Sequence, residues 1–137
     1  FQACTLTDME KQVVYMTVNF ENNCEYCVPW HSKLSDMAKM PREEIENLRQ
    51  GRPLNDVKLN ILHQFTKSMV RTRGSIAPDD LNKLLEAGYS QQNALEVVLG
   101  VSIKIMSNYT NALAQKPLDS AVKNLSCKKP SLRFNGQ

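Results

Sequence analysis

The sequence predicts an all-α fold, a compact bundle of about six to seven helices. Three observations point there. Apolar residues recur at helical spacing in every patterned stretch, Thr, Asp and Ser stand where helices have to start, and Pro and Gly punctuate the ends. No alternating strand pattern competes with this reading.

Thr7-Asp8-Met9-Glu10 reads as a capping box: the Thr7 hydroxyl accepts from the Glu10 N–H while the Glu10 carboxylate reaches back. The helix it opens carries Met9, Val13, Val14, Tyr15, Met16, Val18 and Phe20. Apolar on nearly all sides, it is expected to be the central buried helix, ended by Asn22-Asn23. Pro29 lacks an N–H and is harmless only in a first turn. The second helix is therefore expected to begin near Glu25 or Tyr26 and to run through His31, Leu34 and Ala38 to about Met40. Pro41 at a first helical position starts a short third helix that Gly51 stops.

Asn55 or Asp56 caps a fourth helix, with Leu59, Leu62, Phe65, Thr66, Met69 and Val70 at helical spacing; the isolated His63 is expected on its surface. Pro78 opens a fifth, with Leu81, Leu84 and Leu85 inward and Gly88 at its end. Ser90 caps a long sixth helix to about Gln115, lined by Ala94, Leu95, Val98, Val101, Ile105, Met106, Tyr109 and Leu113. Pro117 breaks it, and a short last helix is expected over 118–125.

The 137 residues suffice for one domain, expected over 1–125, that buries roughly 65–70% of its unfolded surface. Residues 126–137, with Lys128, Lys129 and Arg133, read as a flexible basic tail. The net charge is +3, and no aromatic pattern accompanies the tail, so no nucleic-acid partner is expected. The apolar run from Ala94 to Met106 is broken by Glu96, Gly100 and Lys104 and falls short of the ~20 residues that span a bilayer. No signal-peptide pattern is visible, and the chain opens on Phe1, as a processed or shortened chain would.

Four cysteines allow two readings. In a secreted protein Cys4 and Cys127 would form a second structural bridge. Four in a chain with its own core fit better with a working Cys24–Cys27 pair in a reducing compartment, which favours the cytoplasm.

The chemistry concentrates in Cys24-Glu25-Tyr26-Cys27-Val28-Pro29-Trp30-His31. On a helix, Cys27 and His31 lie one turn apart on one face. Free thiols titrate near ~8.5, and both the helix N-terminus and a His31 imidazolium favour the thiolate. Cys27 gains from both and is the expected nucleophile. Attack on a peroxide would give a sulfenic acid, which Cys24 would resolve to a disulfide, and an external dithiol must then reduce it. Tyr26 and Trp30 are expected to wall the pair. A zinc site would need a fourth ligand beyond Cys24, Cys27 and His31, and no second cluster supplies one. No metal or cofactor is expected.

Asn23 to Ser32 resembles the signature of the alkylhydroperoxidase D-like group within the carboxymuconolactone decarboxylase superfamily. Glu43 to Leu54, Leu84 to Ser90 and Asn108 to Ala114 also look like that family. The resemblance implies an all-helical subunit in homo-trimers or homo-hexamers, with Cys27 oxidised by a hydroperoxide and Cys24 as proton donor and resolving thiol. His31 matches the family histidine that helps deprotonate the pair, and a lipoylated or thioredoxin-like dithiol protein would be the reductant. One position departs. Where peroxidase-type members carry a glutamate, this chain has Gln12, whose amide can orient His31 or a water but cannot accept a proton. Glu10 or Glu25 are the carboxylates expected to substitute. Two rival readings are a lactone decarboxylase, which would use acid–base groups and an anion pocket in place of thiols, and a non-enzymatic helical module for oligomerisation or metal binding.

Overall fold

The computed structural model describes residues 1–127 and contains helices and no strands among them. The chain runs through α1 (Asp8–Glu21), α2 (Cys27–Met37), α3 (Arg42–Gln50), α4 (Val57–Thr72), α5 (Pro78–Glu86), α6 (Gln91–Ala114) and a 3-10 segment (Ser120–Leu125). The tail expected over 126–137 lies outside the described residues from position 128 on.

Local sequence sets most of the boundaries. Thr7 caps α1 in a full capping box with Glu10, and Ser90 with Asn93 makes the same arrangement at α6. Asp56, rather than Asn55, caps α4 through the Leu59 N–H. Pro41 takes the cap of α3 and not its first helical position. Gly51 ends α3 at φ +66°, and a side chain there would run into the Phe20 ring. The last helix tightens to 3-10 geometry and starts two residues later than expected.

α1 is the central helix. Val13, Val14, Met16 and Val18 are fully buried, and α2, α3, α4 and α6 all pack on it. At Gly100 the α6 backbone comes so close to Val14 and the Phe1 ring that an added Cβ would lie 2.9–3.0 Å from them. This close approach lets the polar face of α6 reach the start of α2.

The inward face of α6 differs from the expected one. Leu95, Met106, Tyr109 and Leu113 are exposed, while the buried stripe is Glu96, Val97, Gly100, Val101, Lys104 and Asn108. The helix turns polar groups toward α1 and α2 because those groups find partners there. His63 also departs from expectation: it is 2% exposed, with Nδ1 2.7 Å from the Thr17 hydroxyl. It occupies the same stripe of α4 as Leu59, Leu62 and Thr66, which faces α1.

Candidate active site

α2 starts at Cys27, with Cys24 in the turn just before it, so Pro29 falls in the first turn as its missing N–H requires. The Cys27 and Val28 N–H groups both donate to the Cys24 carbonyl at 3.1 Å. This turn brings the two Cα atoms to 5.2 Å, and the sulfurs are joined as a disulfide. The chain is thus in its oxidised form. Both cysteines are buried, Cys24 at 6% and Cys27 at 3% exposure.

The Cys27 sulfur sits in a ring of amides. Asn108 Nδ2 donates to it at 3.1 Å and Asn111 Nδ2 at 3.3 Å. Asn108 is itself held, by donating to Asn19 Oδ1 at 2.9 Å and accepting from Asn22 Nδ2 at 3.1 Å. Donors fixed in this way favour a sulfur that carries negative charge.

One turn further along α2, His31 is bonded on both ring nitrogens. Nδ1 lies 2.9 Å from Gln12 Oε1 and Nε2 lies 3.0 Å from Lys104 Nζ. An amide oxygen only accepts and an ammonium only donates, so the ring is the neutral Nδ1–H tautomer. Burial, reinforced by the Lys104 charge, holds the His31 pKa down at about 3. The expected imidazolium facing the Cys27 sulfur is therefore not the state of this oxidised form. Burial also brings Lys104 down to about 8, and its ammonium lies 5.4 Å from the Tyr15 ring centre.

Structure brings Gln12 to His31 and sets Cys24 against Cys27, while Glu10 is committed elsewhere. Its carboxylate accepts from the Thr7 N–H and hydroxyl at 2.8 and 2.9 Å, which removes it as a substitute for the family glutamate. Glu25 is exposed on the rim of a cavity of about 210 Å³ that Cys24, Tyr26, Asn108, Asn111 and Lys116 also line. Tyr26 and Trp30 do more than wall the pair. Their hydroxyl and indole N–H donate to Asp119 Oδ2 at 2.7 and 3.0 Å and lower the Asp119 pKa, seating the 3-10 segment on α2.

Sequence reasoning missed Asn19, Asn22, Lys104, Asn108, Asn111 and Asp119. A signal existed for three of them: Lys104, Asn108 and Asn111 recur at helical spacing on one face of α6.

No protein-family model matches the sequence, and comparison with curated proteins finds no match. Among solved structures, the chain is similar to an uncharacterized peroxidase-related protein from Silicibacter sp. TM1040, with a TM-score of 0.76 at 18% identity. The match covers 86% of this chain and 63% of that one, so the chain spans less than two thirds of its neighbour's length. The two share a fold. No helix among the described residues is long and apolar enough to cross a membrane, and none of their His, Cys, Asp and Glu side chains group to hold a metal ion.

Proposed function

We propose that this chain is a thiol-dependent peroxidase and disulfide oxidoreductase that reduces hydroperoxides. The observation that carries the reading is the pair of side-chain amides on the Cys27 sulfur, aimed where a thiolate would need them.

In the reduced protein the Cys27 thiolate attacks the distal peroxide oxygen. The S–O bond forms as the O–O bond breaks, and the leaving alkoxide takes up a proton. Lys104, whose pKa is brought down to about 8, supplies that proton; His31 Nε2 accepts from its ammonium and positions it, and Gln12 holds the ring in the Nδ1–H tautomer. Cys24 then condenses with the Cys27 sulfenic acid, releasing water and giving the observed bridge. A dithiol protein, lipoylated or thioredoxin-like, restores both thiols in a reducing cytoplasm. In this chain a lysine stands beside the histidine, and glutamine replaces the carboxylate expected of peroxidase-type relatives.

Leu95, Leu99, Met106, Tyr109 and Leu113 form an exposed apolar stripe at successive spacings of four, seven, three and four along α6. Such a stripe suits packing against further copies in a homo-trimer or homo-hexamer. Light scattering of the purified chain tests the assembly.

The test of the activity is peroxide consumption with a dithiol reductant. Wild type is expected to lose two thiols per peroxide. Turnover retained in Cys27→Ser overturns the reading.

A further inference from the structure

The disulfide is reached from two sides, and in both cases through Cys24. One approach is the cavity of about 210 Å³ beneath Asn111 and Lys116. The other is a small cavity walled by Asn19, Cys24, Val28, Arg49 and Cys127. Cys27 lines neither. The second cavity is therefore lined both by Cys24, the bridge residue that an incoming thiolate can reach, and by Cys127, a half-buried thiol outside the bridge.

Two features make this placement more than proximity. Arg49 fixes the segment at both ends: its guanidinium donates to the Leu125 carbonyl at 2.9 Å, and its own carbonyl accepts from the Cys127 thiol at 3.9 Å. Asn19, fully buried in the wall of the same cavity, has its oxygen bonded to Asn108, while its Nδ2 has no partner among the described residues. A buried donor left without an acceptor costs about 1–3 kcal/mol. Here that donor belongs to a residue of the wall that Cys24 and Cys127 share.

We propose that Cys127 is a third redox thiol, which exchanges with the Cys24–Cys27 bridge at Cys24. The proposal rests on the thiol redox reading above. The Cys127 thiol loses its proton to solvent, and its thiolate attacks Cys24 Sγ. The Cys24–Cys127 bond forms as the Cys24–Cys27 bond breaks, and Cys27 leaves as a thiolate into the amides of Asn108 and Asn111. No net oxidation occurs in this step. The external dithiol then reduces Cys24–Cys127, becoming a disulfide itself. The exchange carries the oxidised bond from Cys27, at 3% exposure, to a half-buried position that a protein reductant can approach.

The test uses the full chain and needs no peroxide. Wild type and Cys27→Ser are oxidised with diamide, quenched in acid, alkylated, digested and mapped by mass spectrometry. A Cys24–Cys127 linked peptide is expected as a minor species in wild type and as the dominant one in Cys27→Ser, and Cys4→Ser leaves it in place. Its absence from both samples, or a bridge to Cys4 in its stead, overturns the proposal. In a second arm Cys127→Ser is expected to slow reduction of the oxidised chain by a thioredoxin-like protein about tenfold; an unchanged rate overturns the relay. Peroxide consumption, followed separately, distinguishes the two readings: no turnover together with a mapped Cys24–Cys127 bridge removes the peroxidase function and leaves the exchange standing.

Discussion

Two histidines, His63 buried and His31 half-buried, lie on elements that pack against α1, and their surroundings differ in what each ring nitrogen meets. His63, on α4, bonds Thr17 through Nδ1, and because the Thr17 hydroxyl donates to the Val13 carbonyl, that nitrogen is the donor. Its Nε2 has no partner among the described residues. His31, on α2, has both nitrogens engaged, by an amide that fixes the tautomer and by a lysine that carries a mobile proton. Burial drives both pKa values down, His31 to about 3 and His63 to about 4, with Lys67 adding to the effect at His63 against Glu21. Depressed basicity alone thus does not mark a functional site. Under the proposed mechanism, what sets His31 apart is the lysine on its second nitrogen.

The comparison is broken most directly at His31. His31→Gln keeps a hydrogen-bonding side chain between Gln12 and Lys104 and removes the ring, and peroxide turnover is expected to fall about 100-fold. Steady-state kinetics with circular dichroism as the control for folding checks it. His63→Ala should do the reverse. Turnover per folded molecule stays, while urea unfolding shows a loss of about 2–4 kcal/mol from the cavity opened against α1.

Lys104→Met sharpens the contrast. It removes a buried ammonium and is expected to stabilise the fold at pH 7 by about 1 kcal/mol, after the lost bond to His31 is subtracted. It should also abolish the limb of the pH–rate profile near 8. The sign follows from linkage. The unfolded lysine, at 10.5, holds its proton longer than the folded one at about 8, so wild-type stability rises with pH between those values and Lys104→Met flattens the rise.

The smallest effect is shared by the two histidines. Each is depressed below its unfolded value of 6.5, so the unfolded chain takes up the proton first. Stability is full above pH 6.5 and falls as the pH drops toward 3–4. Urea midpoints between pH 7 and pH 4 should show the fall, and either histidine variant should reduce it.

What the sequence made legible was local. The caps at Thr7, Asp56 and Ser90 and the stop at Gly51 depend on residues within one turn, and each stands where its chemistry requires. The cysteine spacing likewise dictates the disulfide turn before α2. What stayed hidden was which face of a helix points inward. α6 offers two stripes: one of leucines with Met106 and Tyr109 that faces out, and one with Lys104 and Asn108 that faces in. Hydrophobicity ranks them the wrong way round, because a polar residue is inward only if another segment brings it a partner, and those partners lie 73 and 81 residues away. His63 was misread for the same reason. Its position between Leu62 and Thr66 on the α1-facing stripe is the signal that outweighs its polarity.

The Asp119 seat on α2 gives the protein an optical reporter. Trp30 is the chain's sole tryptophan, and its indole N–H is tied to the carboxylate that anchors the stretch after α6. Any event that lifts Asp119 away wets the indole, so the emission colour of unlabelled protein follows, in real time, whether the ground beside the disulfide is covered or bare.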